Sequence, residues 1–139
     1  MLVVVRHGRT AENAAGLLLG RADPDLDVVG EAQAARMAEW IGEVDRVVSS
    51  PLRRARRTAA AFGREVEVDE RWIELDYGQF DGQPVASVAV ETWGRWRDDP
   101  HYAPPGGESL AALEVRVAAA AEELYLAAAE STIVVVTHV

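Results

Sequence analysis

The sequence predicts an α/β sandwich on a mainly parallel sheet, and three observations carry that prediction. Two short runs, LVVV at Leu2–Val5 and IVVV at Ile133–Val136, are apolar at consecutive positions and rich in β-branched residues, the pattern of strands buried on both faces. Segments with helical spacing lie between strand-like ones, and such alternation builds parallel sheets. The 139 residues make one domain large enough for a real core, so a single domain over 1–139 is expected, without internal repeat or linker.

After the first strand, the stretch Asn13–Asp27 is rich in Gly, Asp and Pro and reads as a loop. Asp27 suits the N-cap of a helix over Val28–Ile41, where Ala34, Met37, Ala38 and Ile41 recur at i, i+3, i+4 and i+7 on one face. A second strand centres on Val47 and Val48. Ser50 then reads as the cap, and Pro51 as the first residue, of an Arg-rich helix running to Phe62. Val66–Val68 reads as a short strand and Val85–Trp96 as a short helix between Gly and Pro breakers. A long helix over Ser109–Ala129 puts Leu110, Leu113, Val117, Ala121 and Leu124 on one face, before the last strand.

Composition narrows the function. Hydrophobic content of 49% and charged content of 27% are ordinary for a soluble globular chain. The formal charge of −9 argues against general nucleic-acid or anionic-membrane binding, since both need a basic surface. All 14 basic residues are Arg, so any positive site is a local arginine cluster. The lack of cysteine excludes disulfides, thiolate metal sites and a cysteine nucleophile. No apolar run reaches membrane-spanning length, and Met1 leads directly into a strand with no room for a signal peptide, so a cytoplasmic protein is expected.

Three predicted strands run into polar residues: the first into Arg6-His7-Gly8, the second into Ser49-Ser50-Pro51, the last into Thr137-His138. Ligands of open α/β sheets bind at the carboxyl ends of parallel strands, so His7, His138 and the start of the Arg helix should share one crevice. Arg6, Arg9 and a helix carrying Arg53, Arg54, Arg56 and Arg57 make that crevice an oxyanion site, with phosphate the fitting anion. At about 100° per residue the helix cannot aim all of its arginines inward; Arg53 and Arg57 share a face and Arg54 lies on the next. Two histidines and a carboxylate such as Glu74 could instead form a metal triad, but adjacent guanidiniums oppose a divalent cation.

A neutral imidazole can attack phosphorus, arginines can spread the charge of the transition state, and a second, protonated histidine can donate to the same oxygens. The leaving oxygen needs a proton from an acid of raised pKa. The segment RWIELDYGQFDG offers Glu74, Asp76 and Asp81, and spacing alone does not choose among them.

Five motifs in order, RHGRTAEN, SSPLRRARRTA, ELDYGQFDG, GGES and TH, resemble those of the histidine phosphatase superfamily, the phosphoglycerate-mutase-like group. They span Arg6 to His138. The resemblance implies a three-layer α/β/α sandwich that needs no metal or organic cofactor. It implies His7 as the phosphorylated nucleophile, with Arg6, Arg54 and His138 around the phosphate and Glu74 as proton donor. Asn13 matches a phosphate-pocket residue, and Thr10, Leu19, Gly20, Glu108 and Ser109 fall in substrate-lining stretches. The stretch from Gly82 to Gly107 is short and its only arginines are Arg95 and Arg97. Similar mutases carry a longer basic insertion there, so the phosphatase branch is favoured over a mutase or a non-catalytic phosphate-binding module. The expected partner is a small phosphomonoester, and a homodimer is allowed. Trp93, Trp96 and Tyr102 could line a substrate cavity, with packing the favoured role for each. Family members continue about 50 residues past the second histidine, so the chain is expected to lack the C-terminal part of the fold.

Overall fold

The computed structural model describes residues 1–138. Four strands, β1 (Leu2–Arg6), β2 (Arg46–Ser49), β3 (Val66–Val68) and β4 (Ile133–Thr137), form one sheet of order β1-β4-β2-β3. Every pairing is parallel. The helices are α1 (Ala11–Ala14), α2 (Val28–Ile41), α3 (Arg53–Ala60), α4 (Val90–Asp98) and α5 (Leu110–Ala127). Among the described residues no helix is long and apolar enough to cross a membrane.

Alternation along β4 sorts the core into two layers. Val134 and Val136 join Val47 against Ala55 and Ala59 of α3, with Ile41 of α2 at the margin. Ile133 and Val135 join Val48 on the opposite face, against Ala120 and Leu124 of α5 and Trp72. Helices therefore cover both faces, the three-layer sandwich expected. A separate cluster lies beyond the sheet, where Tyr77, Phe80, Trp93 and Tyr102 surround Trp96. Trp96 is buried at its centre, so this tryptophan packs.

The elements depart from expectation at four places. Among the described residues β1 is an edge strand, not a doubly buried one: it pairs only with β4, and Val4 is 54% exposed at a cavity it lines with Trp72, Leu113 and Val117. The loop before α2 is preceded by a short helix, α1, held by a capping box in which Thr10 and Asn13 bond reciprocally. Ser50 does not cap α3. Its hydroxyl accepts from Leu52 N–H and bonds His138, and the helix begins at Arg53 with no side-chain cap. The Val85–Trp96 segment divides into a 3-10 turn at Val85–Ser87 and α4.

One backbone contact fixes the first strand's exit. A Cβ on Gly8 would collide with the Gly30 carbonyl, and one on Gly30 with that of Arg9, so two glycines let the first turn of α2 lie directly on the loop after His7. Asp27 completes the clasp by capping Gly30 N–H and pairing with Arg9 at 2.8 Å.

Candidate active site

The sheet register places the strand ends side by side: Arg6 lies opposite Thr137, and Ser49 opposite Val136. His7 and His138 follow their strands immediately, and their ring centroids are 5.1 Å apart. His7 N–H donates to the Thr137 carbonyl at 3.0 Å, continuing the ladder one residue past β1.

The orientation of His7 settles its tautomer. Nδ1 lies 2.7 Å from the Gly8 carbonyl, which can only accept, so Nδ1 carries the proton. Nε2 is left with its lone pair toward Arg54, whose Nε–H donates to it at 3.3 Å. Burial, with Arg54 and Arg6 nearby, lowers the imidazole pKa to about 4, against the opposing bond to Gly8. His7 is therefore a neutral base with Nε2 facing a guanidinium.

Arg54 is fully buried. One donor on Nη1 reaches the carbonyl of Ala22 at 2.7 Å and one on Nη2 that of Gly20 at 2.9 Å. Among the described residues no carboxylate oxygen lies within ion-pair distance of it, so carbonyl dipoles solvate a buried cation and leave its charge available to an anion. Asp81 holds the loop that supplies those carbonyls by accepting the N–H groups of Gly20, Arg21 and Ala22. Thr58, one turn along α3, donates to the Arg54 carbonyl and accepts from Gly8 N–H, joining helix to loop.

The three carboxylates now separate. Asp81 is occupied by backbone amides, and Asp76 caps Gly78 N–H at 2.8 Å. Glu74 faces the site, with Oε2 3.9 Å from His138 Nδ1 and Oε1 accepting Leu75 N–H at 2.7 Å. Desolvation raises its pKa despite the Leu75 bond and the pull of Arg54, Arg6 and Arg116. His138 shares a 2.7 Å hydrogen bond with Ser50 Oγ through Nε2. Burial, with Arg54 and His7 beside it, drives its pKa down to about 2. Burial first, and the cationic side chains around it second, thus favour the neutral form of the second histidine.

The other residues singled out in the sequence divide between the cavity beside His7, the packed interior and the surface. Arg6, His7, Arg9 and Asn13 line one cavity of about 290 Å³ with Gln33. Thr10 is buried and caps α1, Leu19 is buried, and Gly20 presents its carbonyl to Arg54. Glu108 and Ser109 are engaged within the fold: Glu108 pairs with Arg116 and Arg21, and Ser109 caps α5. Arg53 and Arg57 point outward to Asp25 and Glu31. Sequence reasoning missed Ser50, Thr58 and Arg116, whose roles arise from contacts between distant segments. Among the described residues no group of three His, Asp or Glu side chains could hold a metal ion.

Residues 2–139 match the model of the histidine phosphatase superfamily (branch 1), and the chain belongs to that family. Phosphoserine phosphatase 1 of Hydrogenobacter thermophilus is 36% identical over 147 residues, covering 99% of this chain and 70% of that protein. Glucosyl-3-phosphoglycerate phosphatase of Mycolicibacterium vanbaalenii is 39% identical over 117 residues, covering 78% of this chain and 52% of that one. The structure of a mycobacterial glucosyl-3-phosphoglycerate phosphatase with VO3 superposes with a TM-score of 0.89 at 33% identity, covering 99% of this chain and 74% of that chain. This chain thus spans between about half and three quarters of these relatives' length. Family and phosphatase-named relatives together support phosphomonoesterase activity.

Proposed function

We propose that this chain hydrolyses a small phosphorylated metabolite through a phosphohistidine on His7. The observation that carries the reading is the neutral His7, its Nε2 lone pair directed at the buried guanidinium of Arg54. Arg54 and Arg6 would hold the phosphoryl oxygens, and His138 would donate an N–H to them. His7 Nε2 attacks phosphorus, the N–P bond forms, and the P–O bond to the leaving group breaks. Glu74, its carboxyl proton favoured by burial, protonates the leaving oxygen. The resulting carboxylate then takes a proton from water, whose oxygen attacks phosphorus and releases inorganic phosphate as the N–P bond breaks. A cytoplasmic setting fits an enzyme acting on a soluble phosphorylated metabolite.

The test is phosphate release from a panel of phosphorylated metabolites, with and without a bisphosphate primer. Primer-independent release supports the phosphatase. Transfer that depends on the primer indicates a mutase, and phosphate binding without turnover indicates a regulatory module.

A further inference from the structure

Arg116 lies in the second turn of α5 and reaches the segment that carries Glu74. Its side chain is 18% exposed and all of its nitrogens are engaged. Nη1 donates to the carbonyls of Arg71 and Ile73, each at 2.7 Å, and Nη2 to that of Glu74 at 3.2 Å. The other edge of the fork grips Glu108, with Nε to Oε1 at 2.8 Å and Nη2 to Oε2 at 2.9 Å. Glu108 in turn exchanges bonds with Asp76: its N–H donates to the Asp76 carbonyl at 2.9 Å and its Oε2 accepts Asp76 N–H at 3.4 Å.

The segment so gripped, Ile73–Tyr77, has no regular secondary structure. No ladder of its own fixes Glu74, and a displacement of about 1 Å at a reacting group is enough to slow chemistry severely. The α5 helix is rigid by contrast, packed on the sheet through Ala120 and Leu124. Arg116 is the strut between the two.

The geometry points to Arg116 as the positioning residue of the general acid: it sets Glu74 at the leaving-group oxygen through the carbonyls of residues 71, 73 and 74. It touches neither phosphate nor substrate. This role rests on the phosphatase reading above, in which Glu74 protonates the leaving group.

A positioning residue of this kind shows itself in leaving-group dependence, which a general loss of folding does not change. The experiment measures kcat/KM for an aryl phosphate series from p-nitrophenyl to p-methoxyphenyl phosphate, in the wild-type chain, Arg116→Gln and Glu74→Gln. That constant reports the phosphoryl transfer that expels the leaving group and not the later hydrolysis common to all esters. A good leaving group departs without the acid; a poor one needs it. Arg116→Gln is expected to lose about tenfold on the p-methoxyphenyl ester and less than about twofold on the p-nitrophenyl ester, in the direction of Glu74→Gln. Arg116→Lys keeps one cation beside Glu108 and is expected to fall between; it decides the matter alone if Arg116→Gln does not fold. An equal loss on every ester, or none on any, overturns the assignment while leaving the phosphatase intact. A wild-type chain that turns over no ester of the series overturns the phosphatase reading, and the role of Arg116 with it.

Discussion

β1 and β4 are near copies in sequence, LVVVR before His7 and IVVVT before His138, yet they occupy different positions. β4 runs between β1 and β2 and all five of its residues are buried, whereas β1 closes the sheet edge and leaves Val4 and Arg6 exposed. Their histidines differ as well. His7 is fixed by Gly8 and faces Arg54, while His138 bonds Ser50 and its buried Nδ1 has no hydrogen-bond partner among the described residues. An apolar run encodes a strand that delivers a side chain to the sheet's carboxyl edge. Its burial is set by what packs on its two faces, and the chemistry of the delivered histidine by its neighbours.

Substituting the two histidines should break this comparison most strongly. His7→Ala is expected to lower kcat by on the order of 10⁴-fold or more, because on the proposed mechanism it removes the side chain that forms the covalent bond. His138→Ala should cost on the order of 10²-fold while still forming the phosphoenzyme, since it removes a donor and not the nucleophile. Rapid-quench kinetics on both variants checks the difference, and equal losses in the two would refute it. The strand interiors sharpen the same contrast through stability. Val135→Ala removes two methyl groups from a closed layer and should destabilise by about 2 kcal/mol, whereas Val4→Ala should stay within about 0.5 kcal/mol in urea unfolding.

The pH dependence gives the finest distinction. His7 is neutral down to about 4 in the folded chain but takes up a proton near 6.5 when unfolded. Between those values the unfolded state binds more protons, so stability falls as pH decreases, and His7→Ala should flatten that fall. For turnover, kcat/KM should drop below about pH 4 as His7 protonates, and again on the alkaline side as Glu74 ionises. Only the alkaline limb should vanish in Glu74→Gln.

Much of this was legible because the features are local. The apolar runs, the α2 periodicity and the Asp27 cap each lie within one short window, and α2 spans Val28–Ile41 as the spacing predicts. The partners of the site residues were not. Nothing near Ser50 shows that its hydroxyl meets His138 88 residues away, so it read as a helix cap. Arg116 looked like one arginine on a long helix, and only the fold brings it to carbonyls 42 to 45 residues distant. The choice among Glu74, Asp76 and Asp81 likewise depends on which carboxylate the folded loop buries beside His138, a property of the fold and not of spacing. Edge position was hidden for the same reason, since LVVV and IVVV are equally apolar and differ only in what pairs beside them.

The most direct measurement is mass-spectrometric mapping of the phosphoenzyme after an alkaline denaturing quench, which preserves the N–P bond. Phosphate should be found on His7 in the wild-type chain and in His138→Ala, and nowhere in His7→Ala. Phosphate on His138, or wild-type turnover by His7→Ala, would contradict the assignment of the nucleophile to the end of β1.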